Sequence, residues 1–277
     1  MKFSFFLRFA AVFSAFGAAA LGAKYQKLKE QKLSLPQGFT VTAHTGCDGS
    51  PDNSIESIQR AIFLDVPVIE NDLTLRSDGT PVFMHAESAG DGGLLFAEAQ
   101  YYIASNSSTV LQNLDLKVFE NLDQIQSIVK KAGLIGRCFF TGVEKDNAAK
   151  VKKYAPEIPY YLNMKLNVLR LRDKEYLRRA ADEIKNAGAV GINCKYTYLS
   201  KALVEVMHER GLSVSVWTVD KKPLMLYVLS LAPDNITTRN PRLLMSLIKG
   251  FFHRSVFRGD VFLRGLYKPL RFLSAVP

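Results

Sequence analysis

The feature that most narrows the choice of fold is a rhythm. From residue 122 onward, amphipathic helical stretches alternate with short apolar runs rich in β-branched and aromatic residues. Residues 122–132 lead into 137–143, 146–154 into 160–164, 174–187 into 189–194, and 200–210 into 213–219. Strands separated by helix-length segments pair in parallel, because the helix spans the return path that a parallel neighbour requires. Upstream, 41–44, 66–75, 81–85 and 109–118 read as four more strands, which brings the count to eight. Eight such units predict an α/β fold, a closed (β/α)8 TIM barrel.

The upstream strands carry polar residues that an ordinary buried strand would avoid. Glu70 and Asp72 stand two apart between Ile69 and Leu73, so the period of a strand puts both carboxylates on one face. Two carboxylates buried side by side repel and lose hydration, a cost that a divalent cation offsets most simply. His44 ends the first strand, and His85 ends the short run after the turn Ser77-Asp78-Gly79-Thr80-Pro81. In 109–118, Asn113, Asp115 and Lys117 alternate onto one face. Functional groups in such barrels gather at the carboxyl ends of the strands, which is where these residues fall.

The blocks His44-Thr45-Gly46, Pro51-Asp52-Asn53-Ser54, Glu70-Asn71-Asp72-Leu73, Ser77 to Val82 and Met84-His85 resemble, in order and spacing, the glycerophosphodiester phosphodiesterase family. The resemblance extends over about 39–247 and implies the same barrel fold. It implies His44 and His85 as the general acid and base, Glu70, Asp72 and Asp115 as metal ligands, and Lys117 as a phosphate contact. Thr45 stands where the family has an arginine that helps hold the substrate phosphate. Thr45 is grouped with the substrate contacts, and the vacated role is expected to pass to Lys117 or to another base such as Lys165 or Lys195. Asp52, Ala86 and the run Thr238-Arg239-Asn240-Pro241 are further departures from the family pattern. Asn53, in the loop after the first strand, is expected to orient a ligand or make a turn, and Trp217, at a strand end, to wall the pocket or pack in the core.

An all-oxygen donor set with no cysteine or compact histidine cluster favours Ca2+ or Mg2+ over zinc. Histidine exchanges protons near neutral pH, which suits acid and base roles, but the sequence does not say which ring does which. The expected reaction is hydrolysis of a glycerophosphodiester to a phosphomonoester and an alcohol. Two alternatives stay open: a lysophospholipase D-like activity on membrane lipids, and a non-catalytic phospholipid- or phosphate-binding descendant.

With 48% hydrophobic and 22% charged residues, the 277-residue chain can bury one sizeable core. Its formal charge of +10 suits an anionic partner, but no nucleic-acid-binding motif is present. Cys47, Cys138 and Cys194 lie far apart and are read as unpaired, mainly packing residues, with Cys47 near the expected site. Lys2 and Arg8 precede an apolar run to residue 23, which reads as a signal peptide or a membrane anchor, so the chain is expected to be exported or membrane-anchored. Residues 24–38 read as a linker, 39–248 as the barrel and 249–277 as a basic, aromatic tail. The tail suits an anionic membrane surface or a terminal helix packed on the barrel.

Overall fold

The computed structural model describes residues 34–86 and 90–256, except the side chains of 252–256. The N-terminal apolar run, most of the 24–38 linker and the tail beyond 256 lie outside the described residues. Among the described residues, no helix is long and apolar enough to cross a membrane.

Each barrel strand is followed by a helix. In chain order the elements are β1 Thr40–Ala43, α1 Ile55–Phe63, β2 Val68–Leu75, β3 Pro81–Phe83, β4 Leu94–Leu95, α2 Phe96–Asn106, β5 Leu111–Leu116 and α3 Leu122–Lys131. They continue as β6 Cys138–Val143, α4 Lys145–Tyr154, β7 Tyr160–Asn163, α5 Lys174–Ala187, β8 Gly191–Lys195 and α6 Lys201–Glu209. The last are β9 Ser213–Trp217, α7 Lys222–Ser230, β10 Asn235–Thr238 and α8 Pro241–Val256. Around the barrel the strands run β1, β2, β5, β6, β7, β8, β9, β10, and β10 pairs back to β1, all parallel. This is a (β/α)8 TIM barrel.

One expected strand is placed differently, and one stave lies outside the eight expected strands. The run 81–85 is not a barrel stave: β3 pairs antiparallel with the outer end of β2, and β4 pairs antiparallel with β3. The reason is the connection. Only the five residues 76–80 separate β2 from β3, enough for a hairpin but far too few for a parallel crossover. The eighth stave is instead β10, whose Asn-Ile-Thr-Thr sequence hides a strand behind polar residues. Those polar groups are satisfied within the barrel: Asn235 Nδ2 donates to Thr42 Oγ1 at 2.6 Å and to Thr40 Oγ1 at 2.7 Å, and Ser215 Oγ donates to Asn235 Oδ1 at 3.2 Å. At the end of the chain, α8 runs through residue 249 to Val256, so the first residues of the basic tail continue the barrel's last helix.

The apolar core lies between staves and helices. Ile58, Ile125, Val151, Ile184, Val206 and Val228 on the helices are fully buried with Leu114, Phe140, Leu162, Ile192 and Val214 on the strands. Side-chain caps start several helices, with Ser54, Asp173 and Ser200 accepting from the amides of Ser57, Tyr176 and Leu203. The strands' carboxyl ends are thereby held at one rim, and the chemistry-bearing residues of the opening stretch meet there.

Candidate active site

β2 and β5 set the register of the site. Asp72 pairs with Asp115, and Glu70 with Asn113, so the carboxylates of neighbouring staves emerge at matching levels. Glu70, Asp72 and Asp115 each bring a carboxylate oxygen to within 4.8 Å of the others. Glu70 and Asp72 are buried and Asp115 partly so. Lys117, two residues beyond Asp115, places Nζ 2.8 Å from Asp72 Oδ1 and 2.5 Å from Asp115 Oδ2.

Asp72 is the most constrained group. Asn53 accepts from the Asp72 amide and donates its own Nδ2 to Asp72 Oδ2, each at 2.9 Å. His85 Nδ1 donates to the same Oδ2 at 3.0 Å. The β2–β3 hairpin makes this contact possible, because an antiparallel strand runs back toward the rim it left. The Met84 amide donates to the Asp72 carbonyl and fixes the return. His85 itself stays in solvent, its side chain 76% exposed. On the other side, His44 Nδ1 donates to the Thr45 carbonyl at 2.9 Å and lies 3.7 Å from Glu70 Oε2. Each imidazole is therefore held through Nδ1 and leaves Nε2 for the mouth.

Burial and mutual charge push the acids apart. Burial, then the charges of Asp72 and Asp115, raise the Glu70 carboxyl well above the usual glutamate range. Burial opposes the Asp72 charge too, but Lys117, the Asn53 amide and His85 outweigh it and hold Asp72 below its usual value. For Lys117, burial favours the neutral amine, and the Asp115 and Asp72 carboxylates reverse this and keep it charged. One lysine therefore does not offset three carboxylates. That deficit and the all-oxygen donors fit a hard divalent cation held by Glu70, Asp72 and Asp115.

Thr45 does not reach the mouth. It is 1% exposed, its amide donates to Glu70 Oε2 at 3.0 Å, and its hydroxyl accepts from the Asn53 amide and Asn71 Nδ2. A hydroxyl enclosed by these donors supports the carboxylates and the loop from beneath. Trp217 ends β9, two staves from β1, and is 37% exposed at the rim. Lys165 and Lys195 are exposed at the ends of β7 and β8. Cys47 is fully buried, and burial raises its thiol above the usual range.

Several residues that hold the site have no role that the sequence assigns. Arg239, just past β10, grips Asp52 with both nitrogens at 2.6 and 3.2 Å, and its carbonyl accepts from the Asp48 amide. Gly46 lies beneath this pair with φ +71°, and a Cβ there would sit 1.9 Å from Asp52 Oδ1. The two departures at 52 and 239 thus form one clasp across the first loop. Thr141 on β6 donates to Asp115 Oδ1 at 2.8 Å. The next residue, Gly142, has φ +77°, and a Cβ there would lie 2.3 Å from the Leu116 carbonyl. A threonine-glycine pair inside an apolar strand was the available signal for that close approach.

A parallel barrel whose mouth gathers carboxylates, a lysine and two imidazoles defines an enzyme that works at the carboxyl ends of its strands. Comparison with known proteins supplies the particular family. The model of the glycerophosphoryl diester phosphodiesterase family matches residues 97–243, and the chain belongs to that family. It is an enzyme of the phosphoric diester hydrolase class. It is similar to the glycerophosphodiester phosphodiesterase of Caldanaerobacter subterraneus subsp. tengcongensis, 24% identical over 247 residues, covering 76% of this chain and 97% of that one. The crystal structure of a glycerophosphodiester phosphodiesterase from Parabacteroides distasonis superposes with TM-score 0.62 at 19% identity, covering 79% of this chain and 99% of that one. An Oleispira antarctica phosphodiesterase, solved with the product sn-glycerol-3-phosphate, superposes with TM-score 0.62 at 20% identity, covering 78% and 97%.

Proposed function

We propose that this enzyme hydrolyses a glycerophosphodiester to a phosphomonoester and an alcohol, using a divalent cation held by Glu70, Asp72 and Asp115 and proton transfer by His44 and His85. The observation that carries the reading is the convergence of the three carboxylates between two imidazoles that are each held through Nδ1. The Oleispira relative's sn-glycerol-3-phosphate supports the choice of a glycerol-bearing substrate.

When bound, a divalent cation supplies charge neutralisation at phosphate oxygens and lowers the cost of charge that develops during transfer. The chain's own groups do the rest. Asp72, pinned by Asn53, fixes the His85 ring, and the Thr45 carbonyl fixes the His44 ring, so each Nε2 is ready to exchange a proton. One imidazole takes the proton of the attacking hydroxyl, and the other gives a proton to the leaving alkoxide. Lys117, charged and two residues from Asp115, is the nearest cation for a phosphate oxygen. Thr45 leaves no arginine in the first loop for that task.

The test is release of glycerol 3-phosphate and choline from sn-glycero-3-phosphocholine by the purified full chain. Turnover that stops on chelation and returns with Ca2+ or Mg2+ is expected. A folded, cation-binding protein that releases neither product from any glycerophosphodiester would contradict the proposal.

A further inference from the structure

The far side of the same mouth has an unusual surface. The loop 164–173, between β7 and α5, holds Val168 57% exposed and Leu169 90% exposed. This is not a slack loop. Leu166 is buried beneath it, Asn167 Oδ1 accepts from the Leu169 amide at 3.0 Å, and the Asn167 amide donates to Tyr176 Oη at 2.9 Å. Arg170 lies over the Tyr176 ring at 4.5 Å and pairs with Asp173, while the Leu171 carbonyl accepts from Ser200 Oγ, tying the loop to its neighbour after β8. A braced backbone therefore holds two apolar side chains out in water, a cost that solvent alone does not repay.

The charges around them are one-sided. Residues 164–173, 195–200 and 217–222, the segments that end β7, β8 and β9, contain Lys165, Arg170, Arg172, Lys195, Lys221 and Lys222 against Asp173 and Asp220. Both acids are engaged, Asp173 with Arg170 and the α5 amides, and Asp220 with the Arg239 amide and Thr238 hydroxyl. Lys165, Arg172 and Lys195 are exposed and have no ion-pair partner among the described residues. Lys195 is in register with Trp217, which is 37% exposed at the same rim.

We propose that this half of the mouth docks on an anionic lipid surface, with Val168 and Leu169 entering the headgroup layer, Trp217 at its edge, and Lys165, Arg172 and Lys195 meeting lipid phosphates. Apolar side chains ringed by unpaired cations, with an amphipathic aromatic beside them, match the polarity gradient and charge of such a surface. An acidic protein would answer the cations but not a 90% exposed leucine at a loop tip. Docking here turns the mouth toward the lipid, so that a glycerophosphodiester carrying an acyl chain enters from the membrane side. That consequence rests on the proposed function, whereas the docking does not.

Trp217 is the chain's single tryptophan and reports on the contact directly. Its emission is to be followed as the full chain is titrated with vesicles of phosphatidylglycerol and phosphatidylcholine, with phosphatidylcholine alone, and with brominated lipid. A blue shift and quenching are expected on the anionic vesicles only. The double variant V168S/L169S is expected to weaken the response about tenfold or more, as loss of two apolar side chains requires, with hydrolysis of soluble sn-glycero-3-phosphocholine unchanged. K165E/K195E is expected to weaken it by at least about tenfold. An unshifted spectrum would overturn the proposal and leave the patch to an acidic protein. A shift that is as large on neutral vesicles, or that survives V168S/L169S, would also overturn it. Loss of soluble turnover in the unaltered chain would instead strike the proposed function alone.

Discussion

The two halves of the barrel mouth are built on opposite principles. Around β1, β2 and β5, the charged groups of the site are turned inward toward partners. Asp72 answers to Lys117, His85 and Asn53, Glu70 to the Thr45 amide, and Asp115 to Lys117 and Thr141. Around β7, β8 and β9, the polar staves are closed among themselves, Asn193 Nδ2 donating to Asn163 Oδ1 at 2.9 Å, while cations and apolar side chains above them face outward. The difference teaches where specificity of each kind is stored. Inward convergence prepares a small, charged centre at the cost of burying like charges. Outward display prepares a broad surface for something larger than the substrate's phosphate.

The largest effect is expected from removing the convergence. Asp72→Ala takes away a carboxylate from the cluster and the partner of His85 together, and it is expected to lower kcat/KM by roughly a thousandfold or more, several kcal/mol of transition-state stabilisation. Calorimetric titration with Ca2+ checks the same variant independently, since its cation affinity should fall in parallel. His44→Ala and His85→Ala should each lower kcat by about 10²–10⁴-fold, the range for a lost acid or base, while cation binding persists. Steady-state kinetics beside the calorimetry separates the two effects.

Asn53→Ala tests the support rather than the chemistry. It leaves the Asp72 amide and Oδ2 without their buried partner, so thermal unfolding should show a loss of about 1–3 kcal/mol. Activity should fall less than in Asp72→Ala. Arg239→Ala opens the clasp on Asp52, a partly exposed pair, and its stability cost should stay within about 1 kcal/mol by denaturant titration. The smallest effect is expected at the cysteines. Burial raises all three thiols, with Cys138 and Cys194 pushed up to about 12. Iodoacetamide should therefore label none of them in the folded protein at pH 8, and mass spectrometry reads the outcome.

The sequence makes the convergent half far more legible than the outward one. Period two puts Glu70 and Asp72 on one face, and the same period puts Asp115 beside Lys117. These are local patterns, and the register of β2 and β5 simply brings them level. The structure departs from the sequence pattern where a connection, not a pattern, decides the outcome. An apolar run at 81–85 is a strand either way, and only the length of the preceding turn makes it a hairpin arm. Asn235–Thr238 is polar because its side chains bond one another inside the barrel, so it lacks the apolar signature of a buried stave. The hydroxyl of Thr45 accepts from the Asn53 amide and Asn71 Nδ2, partners that its place in a motif does not reveal. The Arg239–Asp52 clasp joins residues 187 apart, a distance no local pattern spans. Leu169 and Val168 were unremarkable as letters, because exposure is decided by the turn that lifts them.

The two halves of the mouth have separate tasks. The most direct measurement is kcat/KM for soluble sn-glycero-3-phosphocholine, determined side by side for the full chain, Glu70→Gln and V168S/L169S in the presence of Ca2+ or Mg2+. A loss of roughly a thousandfold is expected in Glu70→Gln, whose side chain keeps its shape but gives up the charge proposed to bind the cation, and no change in V168S/L169S. Glu70→Gln with unaltered kinetics would contradict the assignment of the chemistry to the convergent half.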